Sequence, residues 1–159
     1  VKSWGKNQHA VPWLVLLFAL CANAKAQDAA ADDPGNCPAL PASTGLRWEY
    51  RASADSDFCR ALRADGSEAF GLYIASKSPF SPKRSDRAEA STIDGKAMYW
   101  YRGELAGKPD IQVRETLIEI GSGKIAHIWL QASSPDQLKE VIGQTEGLRF
   151  PSAQLSANK

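Results

Sequence analysis

IQVRETLIEIGSGKIAHIWLQASSPDQLKEVIGQTEGLRF, residues 111–150, holds a hairpin and a helix in one run. Ile111 to Ile120 and Ile125 to Ala132 flank Gly121-Ser122-Gly123-Lys124, whose composition is that of a tight turn. A two-residue Ser122-Gly123 turn pairs Gly121 with Lys124 and predicts Ile118 opposite His127, Thr116 opposite Trp129 and Leu117 opposite Ile128. The helix follows at once. Ser134 is placed as its N-cap, Pro135 fits the first helical position, Asp136 favours the positive end of the dipole and Gln137 completes a capping box. Leu138, Val141, Ile142 and Thr145 fall on one stripe, Gly147 is expected to end the helix in a left-handed conformation, and Leu148 and Phe150 to seal the contact beyond it.

Upstream, the period-2 pattern recurs. Trp48, Tyr50 and Ala52 alternate with Arg47, Glu49 and Arg51; Cys59 and Ala61 with Phe58 and Leu62; and Phe70, Leu72 and Ile74 with Gly71, Tyr73 and Ala75. Asp94-Gly95 marks a further hairpin between segments near Ala88–Ile93 and Lys96–Glu104, in which Met98, Trp100 and Arg102 point away from Ala97, Tyr99 and Tyr101. Between these sheet segments, Ser76 to Ser91 carries Pro79 and Pro82, which cannot donate to a ladder, and a local excess of basic residues. It reads either as a solvated connection or as a recognition loop with Phe80 as its apolar anchor. The pattern as a whole predicts an α+β fold: an antiparallel β-sheet of about six to seven short strands, meander-like, with one C-terminal α-helix packed on one face.

Residues 1–26 read as a cleaved secretory signal peptide. Lys2 and Lys6 form a basic start, Ala10 to Ala22 an apolar run, and Ala24-Lys25-Ala26 a cleavage site before Gln27. A lipid-bearing Cys21 is disfavoured by Leu20 before it, and an uncleaved anchor by the shortness of the run against the roughly 20 residues of a membrane span. Loss of Lys2, Lys6 and Lys25 takes the 19 basic residues to 16 against 18 acidic ones, a formal charge of −2. Such a near-neutral chain has no electrostatic reason to seek nucleic acid or an anionic membrane. The remaining organisation is a flexible arm over 27–45, a single domain over 46–151 and a disordered tail over 152–159. The expected location is the periplasm or the extracellular space, with no stable membrane insertion after cleavage.

Cys37 and Cys59 then remain, and in an oxidising compartment they are expected to form a disulfide. His127 is the sole histidine after cleavage, which removes any two-histidine metal site; no metal and no cofactor are expected. It stands as a structural histidine, or as the general base of a small hydrolase together with a carboxylate such as Glu115. Glu115 and Glu119, roughly 13 Å apart along one strand at about 3.3 Å per residue, are too far apart for a glycosidase pair and are expected to meet Arg102 and Arg114 instead. Gly121-Ser122-Gly123-Lys124 is no phosphate loop, since Ile118 and Ile125 occupy the positions of the opening Gly and the magnesium-binding hydroxyl. Ser122-Gly123 is also similar to the start of the Ser-Gly-x-x-Tyr loop of bacterial periplasmic lysozyme inhibitors, but Ala126 stands where the aromatic belongs and no family follows.

Trp48, Tyr50, Tyr99, Trp100, Tyr101 and Trp129 are either core packing or, in part, an exposed binding face. The expected function is a small exported, non-enzymatic binding module, of inhibitor or immunity type, acting on another exported or envelope protein. An envelope accessory or structural subunit and the small hydrolase are the alternatives. The candidate binding residues are Phe80, Lys83, Arg84, Tyr99, Tyr101, Arg102 and Trp129, and no catalytic residue is assigned.

Overall fold

The computed structural model of the chain describes residues 35–151. The expected signal peptide, the start of the arm up to residue 34 and the tail over 152–159 lie outside the described residues. Within them the alternating segments form β1 (Arg47–Ala52), β2 (Ser56–Leu62), β3 (Glu68–Ala75), β4 (Arg87–Ile93), β5 (Lys96–Gly103), β6 (Gln112–Gly121) and β7 (Lys124–Ala132), followed by α1 (Pro135–Glu146). The seven strands make one sheet in the order β1-β2-β3-β7-β6-β5-β4, and every neighbouring pair is antiparallel.

That order corrects the simple meander. Two meanders, β1 to β3 and β4 to β7, meet where β7 pairs with β3, so β4 begins at the far edge of the sheet. The connection from Ser76 to Asp86, including a short 3-10 turn at Arg84–Asp86, must therefore pass three intervening strands. Four strand spacings come to about 19 Å, well within the reach of a segment of this length.

Pleating sorts the side chains into two sets. Trp48, Cys59, Ala61, Phe70, Leu72, Ile74, Ala126, Ile128, Leu130, Trp100 and Ile118 are buried in one cluster, which also takes in Leu138, Val141, Leu148 and Phe150 from the helix and the segment after it. Trp48 meets Phe70 edge-on, with centroids 5.7 Å apart. The Cys37–Cys59 disulfide is present, with Cα atoms 5.9 Å apart, and ties the arm to β2. The same arm is held by a hydrogen bond from Trp48 Nε1 to the Pro38 carbonyl at 2.7 Å and by paired backbone bonds between Ala39 and Arg149.

Three local expectations are corrected. At the end of β6 a bulge leaves Ile120 without a partner, so Glu119 pairs with Ile125 while Gly121 still pairs with Lys124. Thr116 then lies opposite Ile128, Leu117 opposite His127 and Ile118 opposite Ala126, one residue from the predicted register. Ser134 does cap the helix, accepting from the Gln137 amide, but the Gln137 side chain reaches back to Ser133 rather than to Ser134. Gly147 is right-handed, with φ −78° and ψ −9°. A side chain there would run into the Pro41 ring, so close approach of the arm is what requires glycine at that position.

Candidate functional site

The alternate positions of the pleat carry a different chemistry. Phe58 on β2, Tyr73 on β3, His127 and Trp129 on β7, Glu115 and Leu117 on β6, and Tyr99 and Tyr101 on β5 share the face opposite the buried cluster. All but Tyr99 are half-buried; Tyr99 is 44 % exposed. Their rings form a row. Phe58 and Trp129 have centroids 5.5 Å apart, Trp129 meets His127 edge-on at 5.7 Å, the Phe80 ring lies flat on His127 at 5.0 Å with a 9° interplanar angle, and Phe80 meets Tyr101 edge-on at 6.1 Å.

Trp129 is fixed on two sides. Its indole lies over Gly71 of the neighbouring strand, where any Cβ would overlap the ring, and its Nε1 donates to Glu68 Oε1 at 3.2 Å. Glu68 is itself held by Arg60, whose Nε donates to Oε2 at 2.7 Å, and Arg60 also reaches Glu49, which pairs with Arg51. The Glu68 hydrogen bond, with the charges of both carboxylates, raises the Arg60 pKa and keeps the guanidinium charged. A chain of charges thus runs from β1 to the edge of Trp129.

His127 Nε2 lies 3.0 Å from Glu115 Oε2, with the two side chains 13 % and 27 % exposed. The bulge at Ile120 makes this contact possible. In the predicted register Glu115 would stand on the far side of the sheet from His127, whereas the observed register puts Glu115 opposite Trp129 and diagonal to His127 on one face.

The predicted binding residues are only partly gathered. Phe80, Tyr101 and Trp129 belong to the ring row, and Tyr99 lies two residues along the same strand face, with the Arg87 guanidinium 4.7 Å over its ring. Lys83 and Arg84 are exposed at the end of the crossing segment. Arg102 points to the other side of the pleat and donates to the Arg87 carbonyl. Glu115 and Glu119 do not meet Arg102 and Arg114 as expected: Arg114 forms a two-pronged pair with Glu89 at 2.7 and 2.9 Å, and the Glu119 carbonyl accepts from Lys96. Hydrogen bonds from Arg114, outweighing desolvation, hold the Glu89 carboxyl below the usual carboxylate range.

The aromatic set divides between the two sides. Trp48 and Trp100 are buried, while Tyr99, Tyr101 and Trp129 face outward. Reasoning from sequence passed over Phe58, Tyr73, Glu68 and Arg60. Phe58 carried a usable signal, because it alternates with Cys59 and Ala61 and so had to lie away from the core.

Among the described residues no helix is long and apolar enough to cross a membrane, and no three His, Cys, Asp or Glu side chains cluster to hold a metal ion. The disulfide fits an oxidising compartment. No protein-family model, curated protein or solved structure matches this chain.

Proposed function

We propose that the chain is a small exported binding module of inhibitor or immunity type, and that its partner, another exported or envelope protein, is met by the ring-bearing face. In this reading α1 covers the opposite face and closes the core, leaving Phe58, Tyr73, Phe80, Tyr101, His127 and Trp129 as the contact surface. The observation that carries the reading is the pinned Trp129, held by Gly71 below and Glu68 at its edge. A large amphipathic ring immobilised before contact loses little entropy on binding, and Trp, Tyr and Arg are the residues that dominate protein interfaces. Periplasmic or extracellular placement belongs to the same proposal.

The test is affinity capture from an envelope fraction with the full chain, Tyr101→Ala and Lys139→Ala, the last an exposed change on the helix. Capture by the unaltered chain and Lys139→Ala but not by Tyr101→Ala supports the reading. Equal capture by all three refutes it.

The His127–Glu115 contact favours a second reading, a small hydrolase in which the carboxylate orients an imidazole base. Loss of an ester- or amide-cleaving activity in His127→Gln with the fold retained would establish it. Among the described residues no Ser, Thr or Cys side chain hydrogen-bonds to His127, so the binding reading stands first.

A further inference from the structure

Among the described residues, the crossing segment makes its ring contacts with the face it spans through one side chain, Phe80. Among the described residues no hydrogen bond or ion pair joins residues 77–83 to any strand; the bond from the Phe80 amide to Ser78 Oγ and that from the Asp86 amide to the Lys83 carbonyl stay within the segment. Of residues 76–85 all are exposed except Ser78 and Phe80. The Phe80 ring is what reaches the sheet, flat on His127 and edge-on to Tyr101. His127 is in turn held by Glu115, so the receiving surface is fixed and the arriving ring is carried on a tether.

We infer that Phe80 is a built-in occupant of a ring-binding slot formed by His127 and Tyr101, and that an aromatic side chain of a protein partner takes its place when the Ser76–Asp86 segment swings out. The inference rests on the binding reading above and names the chemistry the partner must offer. The occupant already in place is the argument for the one to come: parallel stacking on an imidazole with an edge contact to a phenol is selective for a planar ring. The segment adds Lys77, Lys83 and Arg84, all exposed and none in an ion pair among the described residues. A partner ring flanked by carboxylates therefore fits better than one flanked by cations. Because Phe80 competes for the slot, apparent affinity falls to the intrinsic affinity multiplied by the fraction of time the slot is vacant.

The probe is N-acetylphenylalaninamide, read by the NMR signals of the His127 ring protons, which are identified by their loss in His127→Gln. Phe80→Ala should move these signals downfield as the stacked ring leaves, and the probe should return them upfield saturably. The unaltered chain should require about tenfold more probe for the same occupancy, and N-acetylleucinamide should have no such effect. A Glu-Phe dipeptide amide should bind more tightly than Lys-Phe.

No saturable return in Phe80→Ala, equal response in both chains, or an equally effective leucine amide overturns the slot; the reverse dipeptide order overturns the charge preference. Should Phe80→Ala fail to fold, Phe80→Leu keeps apolar bulk without the ring and carries the same expectations. In the unaltered chain, saturating probe should speed trypsin cleavage after Lys83 and Arg84, and an unchanged rate contradicts displacement. A bound ring probe together with capture indifferent to Tyr101→Ala places the error in the binding reading; failure of the probe with face-dependent capture places it in the slot.

Discussion

Trp129 owes its position to a residue with no side chain. Gly71 on β3 lets the indole lie against the backbone, and a methyl group there would displace the ring or the strand. Gly71→Ala is expected to destabilise the fold by about 1–3 kcal/mol, the range for an overpacked site, and to shift tryptophan emission; a denaturant midpoint and emission maximum unchanged from the parent would show that the ring is not held there. Glu89 makes a separate prediction. Its folded-state pKa is lowered by the Arg114 hydrogen bonds, so between the folded and unfolded values the unfolded chain binds more protons and stability rises with pH. The contribution is complete above the ordinary glutamate range and is lost as pH falls through the lowered folded value. Glu89→Gln should therefore flatten the acid limb of a stability–pH profile, and an unaltered limb would assign the pair no such role. At this scale Tyr101 and Trp129 could be singled out from residue type and alternation, but not Glu68 or Arg60, whose part depends on contacts across three strands.

At the scale of elements, strand positions were legible because burial on one side imposes a period of two, and the helix because Ser134-Pro135 opens a stripe at Leu138, Val141 and Thr145. Register in the last hairpin was not. The turn at Ser122-Gly123, with φ of 51° and 69°, is the expected one, yet a single unpaired residue at Ile120 shifts the rest of β6 by one place and moves Glu115 to the face of His127. A bulge has no signature in the alternation of Leu117 to Ile120, where apolar residues occupy both faces of the strand. Ser134→Ala, which removes the acceptor of the Gln137 amide, is expected to cost about 1 kcal/mol. Thermal or denaturant unfolding checks it, and no change would mean that the hydrogen bond at 3.2 Å contributes little.

Across the whole molecule, the sheet joins two meanders edge to edge, and this arrangement sends the Ser76–Asp86 segment across the ring-bearing face. Composition identified that segment as non-strand through Pro79 and Pro82, but its path follows from β7 pairing with β3, a contact between residues fifty to sixty positions apart. The disulfide holds the arm on the other side of the fold, and removing it as Cys37→Ser/Cys59→Ser should cost about 3 kcal/mol in the chain-entropy view for a loop of this size. A midpoint equal to that of the oxidised parent would contradict that view. In the proposed function, the ring-bearing face of Tyr101 and Trp129 is the one that meets a partner. Oxidative footprinting of the full chain, alone and in an envelope extract, is the decisive experiment. Protection of the ring-bearing face, Tyr99, Tyr101 and Trp129 included, is the predicted result, and protection of the α1 surface with those three unchanged would contradict it.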